Sequence, residues 1–342
     1  MGLGLWAASL GISIVALNLA SVNKSAKFLV AENFCDCEDG AVRYDGEGRV
    51  SATAVDFPRP QRGGTSQHLL VTMLGEFWRF TDLWLPVRVI VRLAEDVGLS
   101  RSAVATALSR LTARGVLEND GGGRASRYRF TAAARARLVV GTAQVGQFGD
   151  PSVRWDRRWT AVAFSVPETE REIREAFRAR LKWLGFAPVY GALWFSPRDR
   201  MEHVREIAEG YGVDDFMAFR VDDDAFEGRR PAIVDTAEPP QRYAEFAAAN
   251  EARLERLRAG EVDVQEGFRA RIEVLDEWRA FPWDDPGMPY ELLPDDWPLL
   301  RARRAFVSVF EGTAALAERH VRAVLGELAP EAGAGVVVPL SI

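Results

Sequence analysis

Cysteine is almost missing from these 342 residues: Cys35 and Cys37 are the only two. A pair two positions apart offers no disulfide framework, and a reducing cytoplasm is the default compartment for such a chain. Histidine is equally scarce. His68, His203 and His320 are scattered, so with the two cysteines they make an incomplete metal set, and no metal centre or cofactor is expected. Surplus positive charge is also lacking, the formal net charge being -6, which argues against non-specific coating of nucleic acid. The sequence holds no nucleophile elbow, no phosphate-cradling glycine loop, no paired zinc-ligand spacing and no internal repeat, so nothing points to an enzyme.

Long apolar runs are confined to the beginning. Leu3 to Ala20 is mostly apolar and uncharged, about the length of a short membrane span. No Lys or Arg precedes it, Ser9, Ser13 and Asn18 interrupt it, and the chain that follows to Gly64 is polar and turn-rich. Residues 1–64 therefore read as a disordered or mis-assigned N-terminal extension, with a single-span anchor as the alternative. The remainder suits a globular protein of two or three domains, at 48% hydrophobic and 27% charged residues overall.

One stretch organises the rest. Ser100 to Thr131 reads SRSAVATALSRLTARGVLENDGGGRASRYRFT. Ser100 can cap a helix of about four turns, and Gly115 can end it in the left-handed region. On that helix Val104, Leu108 and Leu111 share one face, while Ser102, Thr106, Ser109 and Arg110 share the other. A triple-glycine tip, Gly121 to Gly123, then joins two strands, the second alternating Arg127 and Arg129 with Tyr128 and Phe130. From Ser100 to Arg137 eight arginines stand against Glu118 and Asp120 alone, an inversion of the chain's overall charge. A polar helix followed by a basic ribbon predicts a winged helix-turn-helix, the helix in the major groove and the wing along the backbone. A solvated amphipathic helix with an ordinary hairpin is the plainer alternative.

The other elements fall into order around it. SQHLLVTMLGEFW, from Ser66, predicts an apolar helix, and PVRVIVRLAEDVG predicts a second with Pro86 at its first position. Thr131 caps AAARARLVV, a helix leading away from the wing. From Arg154 to Val221 the pattern is strand, helix, strand, strand, helix, strand, a ferredoxin-like βαββαβ domain. An acidic, proline-containing linker runs from Asp222 to Pro240, and helices are predicted over Gln241 to Arg258, Val262 to Ala280 and Leu299 to Leu328. The fold class is thus α+β: winged helix-turn-helix and linker helix over 65–145, ferredoxin-like domain over 146–235, helical domain over 236–342. FPWDDPGMPYELLPDDWP, with Trp283 and Trp297, is too rich in aromatics and prolines for a disordered loop.

Three stretches resemble one family of bacterial regulators. LLVTMLGEFW with AVATALSRLTARGVL and GRASRYRFT, WDRRWTAVAFSVPE with RLKWLGFAPVYGALWFSPR, and EWRAFPWDDPGMPYELLPDDWP are similar to the PaaX family, the phenylacetic acid degradation repressors and their paralogues. The resemblance covers nearly everything from Thr65 onward. It implies a homodimer that represses a catabolic operon until an acyl-coenzyme A, phenylacetyl-CoA in the founding member, releases it from double-stranded DNA. Ala105 stands where that family usually carries Arg, which removes one candidate DNA contact.

The expected roles follow. Arg110, Ser102, Thr106 and Ser109 would read base edges or fix register, while Arg101, Arg124, Arg127 and Arg129 would hold phosphates. An anionic thioester calls for cations beside an apolar slot, which Trp278, Arg279, Trp297, Arg301 and Arg304 could supply, with Arg303 nearby. The rival classes are a metal-dependent nuclease built on the central domain and a non-specific architectural DNA binder. The first predicted strand of that domain ends Ser165, Val166, Pro167 with no carboxylate, and Asp222 to Asp224 read more simply as a turn.

Overall fold

The structure, a computed structural model, describes residues 57, 65–226, 240–285 and 288–330. The readings made for residues 1–64, including the Leu3 to Ala20 run and Cys35 with Cys37, lie outside these residues apart from Phe57, as does most of the acidic linker. Helices and antiparallel sheets make up an α+β fold. Among the described residues no helix is long and apolar enough to cross a membrane.

Helix α1 (Ser66–Trp78) starts where Thr65 Oγ1 accepts the His68 N–H at 3.2 Å. Every residue from Leu70 to Trp78 is buried, Thr72 and Glu76 included, and a helix covered on all sides belongs inside a core rather than on its rim. Strand β1 (Leu85–Pro86) leads into α2 (Val87–Asp96), and α3 (Arg101–Ala113) follows a tight turn. Strands β2 (Leu117–Asp120) and β3 (Arg127–Phe130) form the ribbon. Here the structure corrects two expectations. Pro86 does not open the helix but sits in β1, so the ribbon is a three-stranded antiparallel sheet in the order β1-β3-β2. A residue without an N–H fits an edge strand, where no ladder donor is required of it.

Helix α4 (Ala132–Gln147) is capped by Thr131, whose Oγ1 accepts the Ala134 N–H at 3.1 Å, and runs longer than the predicted AAARARLVV. The central unit comprises β4 (Arg158–Phe164), α5 (Arg171–Trp183), β5 (Ala187–Tyr190), β6 (Leu193–Ser196), α6 (Met201–Tyr211) and β7 (Phe216–Asp222). Its sheet is antiparallel throughout, in the order β5-β6-β4-β7, with Arg158 opposite Asp222 and Phe164 opposite Phe216. Alternation along β4 sends Val162 and Phe164 to the helix side, against Phe177, Leu181 and Val204. Trp159 and Ala161 go to the other side with Trp155, Phe195 and Met288.

Helices α7 (Pro240–Arg258), α8 (Val264–Asp284) and α9 (Leu299–Leu328) complete the chain. Helix α8 continues past its predicted end at Ala280 with Pro282 inside it. Its extra turn is held from outside: Tyr243 stacks on Phe281 at 4.6 Å and donates its hydroxyl to Asp285 at 2.6 Å. Gly267 lets α8 and α9 approach, since a Cβ there would lie 2.5 Å from Leu316 Cβ. Leu70, Leu74 and Phe77 of α1 share one core with Phe268, Ile272, Val321 and Leu325 of α8 and α9, and Phe77 stacks on Phe268 at 5.7 Å. The polar face of α3 is thus presented by helices from both ends of the described chain.

Candidate nucleic-acid interface

The turn before α3 is short because Gly98 takes φ +85°, with its N–H on the Glu95 carbonyl at 3.0 Å and the Leu99 N–H on the Ala94 carbonyl at 2.9 Å. Ser100 Oγ then accepts the Ala103 N–H at 3.2 Å, capping α3 as its sequence requires. At the other end the Gly115 N–H meets the Thr112 carbonyl and the Val116 N–H meets the Leu111 carbonyl. That pair of bonds is the Schellman stop, and it turns the chain straight into β2. Both ends of α3 are pinned by local chemistry.

Between these ends α3 divides cleanly. Val104, Ala107, Leu108 and Leu111 are at most 1% exposed. Arg101, Ser102, Ala105, Thr106, Ser109 and Arg110 are all exposed on the outer surface. Short side chains between two long cations, Arg101 and Arg110, leave room for a groove floor to approach the helix. Arg101 Nε is bonded to Glu95 Oε1 at 2.6 Å, and that carboxylate raises the Arg101 pKa. Ser102 Oγ lies 3.1 Å from Ser100 Oγ. The Arg110 side chain has no ion pair among the described residues, so its guanidinium is available in the last turn of this face.

In the ribbon, Gly121 takes φ +85°, where a Cβ would stand 2.8 Å from the Ala125 carbonyl oxygen. Arg124 is exposed in the 3-10 turn Gly123–Ala125 that follows. The register sets Asp120 opposite Arg127 and Glu118 opposite Arg129. Both arginines are held there: Arg127 Nε donates to Asp120 at 2.6 Å, and Arg129 donates to Glu118 Oε2 at 2.9 and 3.0 Å. The sequence reading counted these carboxylates but did not pair them. It also missed Trp84, whose ring lies under Arg129 at 4.4 Å and under Arg127 at 5.5 Å.

A second omission lies behind the face. Asp96, at the end of α2, accepts from Gln265 Nε2 of α8 at 2.7 Å, lies 2.7 Å from His320 Nε2 of α9, and pairs with Arg92. Arg92 is a local i,i+4 neighbour, but Gln265 and His320 are remote in sequence, so no local pattern could have flagged them.

The residues named for an effector are placed as follows. Trp278 is wholly buried, stacked on Phe306 at 4.7 Å with its Nε1 donating to the Val145 carbonyl at 3.1 Å. Arg279 donates to Thr72 Oγ1 at 3.0 Å. Trp297 packs half-buried against the same cluster as Trp278. Arg301 is bonded to Glu251 at 2.8 Å, and Arg304 is exposed. Arg303 caps the C-terminal end of α4, donating to the carbonyls of Gly146 at 2.7 Å and Phe148 at 2.8 Å. Tyr290 donates to the Gly149 carbonyl, and burial pushes its pKa up to about 12.

On the central sheet, Asp223 is buried and accepts from Trp159 Nε1 at 3.0 Å, with Arg157 at 3.4 Å. It holds the end of β7 against β4. Among the described residues no group of three or more His, Cys, Asp or Glu side chains is placed to hold a metal ion.

Three stretches of this chain match known proteins of one family. Residues 65–134 match the description PaaX-like protein, 152–233 the PaaX protein central Cas2-like domain, and 235–323 the PaaX-like protein C-terminal domain. Transcriptional repressor PaaX of Escherichia coli (strain K12) is 23% identical over 248 residues, 68% of this chain and 75% of that protein. An uncharacterized protein from Mycobacterium tuberculosis superposes with a TM-score of 0.45 at 18% identity, over 75% of this chain and 98% of the other. With three consecutive matches spanning most of its length, the chain belongs to the PaaX family.

Proposed function

We propose that this protein is a DNA-binding transcriptional regulator that acts in the cytoplasm as a dimeric repressor of a catabolic operon, with an acyl-coenzyme A releasing it from its operator. The observation that carries the reading is the division of α3: an apolar face fully buried and a short polar face, running from Arg101 to Arg110, open to solvent. Helix α2, the Gly98 turn, α3 and the adjoining sheet then act as a winged helix-turn-helix over 65–145. The β5-β6-β4-β7 order supports a ferredoxin-like unit over 146–235, and α7 to α9 a helical unit over 236–342. The extension over 1–64 has no part in the reading. No catalytic step is assigned, because Asp223 is already engaged in holding the sheet.

Arg110, with Ser102, Thr106 and Ser109, reads or registers the major groove, and Arg101, Arg124, Arg127 and Arg129 meet phosphates. The effector, by family, carries anionic phosphates; of the residues named for it Arg301 and Arg304 stand exposed, one helical turn apart. Replacing Arg110 by Ala is expected to cost about 1–3 kcal/mol of discrimination between operator and random duplex. Arg127→Ala should instead weaken all duplexes alike and reduce the salt slope by roughly one. Gel-shift titration at several salt concentrations, with footprinting of the DNA flanking the gene, checks both. Binding that stays the same in both variants would remove the assignment, and protection without a discrete site would favour a non-specific binder.

A further inference from the structure

The outer face of the three-stranded sheet is an ordered ladder. Leu85 faces Tyr128 and Pro86 faces Arg127, so continuing the register brings Trp84 opposite Arg129. Across β3 the same rows end on Glu118 and Asp120. One row is therefore Trp84, Arg129, Glu118, and the next is Pro86, Arg127, Asp120. The guanidiniums lie between an aromatic surface on one side and a carboxylate on the other. Of the four charged side chains none is buried: Arg127 is 52% and Arg129 31% exposed, against 48% for Asp120 and 41% for Glu118.

We infer that Glu118 and Asp120 set the affinity of this face for polyanions, and that Trp84 is the positioning residue that keeps the two arginines in place. The inference rests on the DNA-binding reading above and deepens it. A phosphate that approaches Arg127 or Arg129 finds the Nε and Nη2 edge of the guanidinium already taken by a carboxylate, so it must displace that carboxylate or share the cation with it, and in either case the carboxylate stays close enough to repel it. The ring does not compete, because it takes the face of the guanidinium and leaves its edge donors for oxygen. Phosphate contact by the wing is thus made in competition with a carboxylate on a fixed cation rather than by the capture of a free one. Such an arrangement keeps sequence-blind binding weak without removing the cations.

The test uses the full chain with two probes, the duplex flanking its own gene and a random-sequence duplex. Combining Glu118→Gln with Asp120→Asn should tighten binding to both probes by on the order of tenfold, and steepen the salt slope by about one to two. Trp84→Ala should weaken binding to both by roughly threefold to fivefold, and Trp84→Phe, which keeps a ring under Arg129, should recover most of it. Unfolding midpoints close to wild type for the neutral pair would confirm that the change is in the competition and not in the fold. If the wild type binds and the neutral pair binds no tighter, the carboxylates do not compete with phosphate and the inference is overturned alone. A wild type that binds neither probe takes down the regulator reading as well.

Discussion

Replacing Glu76 by Gln is expected to destabilise the protein by about 3–5 kcal/mol, the usual consequence of stranding a buried charge. Glu76 lies on α1, only 3% exposed, and it is the carboxylate shared by two guanidiniums. Arg271 donates to it from Nε at 2.9 Å and approaches from Nη2 at 2.7 Å, while Arg79 sits at 3.3 Å. Arg271 is completely buried, its Cζ 3.6 Å from the Phe310 ring centroid, with one nitrogen on the Phe310 carbonyl. Burial pushes the pKa of both arginines down, opposed by the Glu76 charge. Gln keeps the shape and removes the charge, leaving two cations facing each other in the core. Arg79→Met should be milder, because Arg271 remains on Glu76. Urea unfolding reads the order directly: a lowered midpoint with unchanged slope for both variants, larger for Glu76→Gln. Equal midpoints would mean the carboxylate is not the common counter-charge.

Acid should act on the same helix pair. Burial alone would raise the pKa of Asp276, yet His68, Thr72 and Arg279 together hold it below the ordinary Asp value. Since the folded value is the lower one, its contribution is present above the unfolded pKa. It is lost as pH falls through the folded pKa.

How far the sequence carries depends on whether the information is local. Helix α3 is legible because its caps, Ser100 and Gly115, and its apolar spacing all lie within sixteen residues. Helices α7 and α9 are legible for the same reason, and the strand and helix order of the central unit follows from period changes along the chain. Strand β1 is not: two residues carry no period, and Pro86 fits a helix start as well as an edge. The pairing of Asp120 with Arg127 and Glu118 with Arg129 lies in between, since fixing the hairpin tip would have fixed the register. What escapes altogether is charge pairing across the fold. Glu76 and Arg271 are 195 residues apart, and each reads alone as a solvated helix residue. The tryptophan beside Arg279 had the opposite fate, its stack on Phe306 making it core.

Replacing Asp96 by Ala is expected to cost about 2–5 kcal/mol and to disturb the setting of α3 as well as the fold. Its carboxylate is the meeting point of three elements, with Gln265 169 residues away and His320 224 residues away. Truncation would leave the Gln265 amide and the buried His320 ring without their acceptor, each an unsatisfied polar group, and would release Arg92. Asp96 stands two residues before Gly98, so its side chain fastens the turn before α3 to α8 and α9, beside the Arg88 bond to the Leu328 carbonyl and the shared apolar core. Loss of that fastening leaves every surface cation in place. The variant, compared with wild type well below its unfolding midpoint, should therefore bind the gene-flanking duplex less tightly while its salt slope stays the same. Asp96→Asn, which keeps one acceptor for Gln265, should fall between the two on both measures. An unfolding midpoint unchanged in Asp96→Ala would show that the turn is held without this carboxylate. A reduced salt slope would show that the substitution acts on phosphate contacts and not on the aim of the helix.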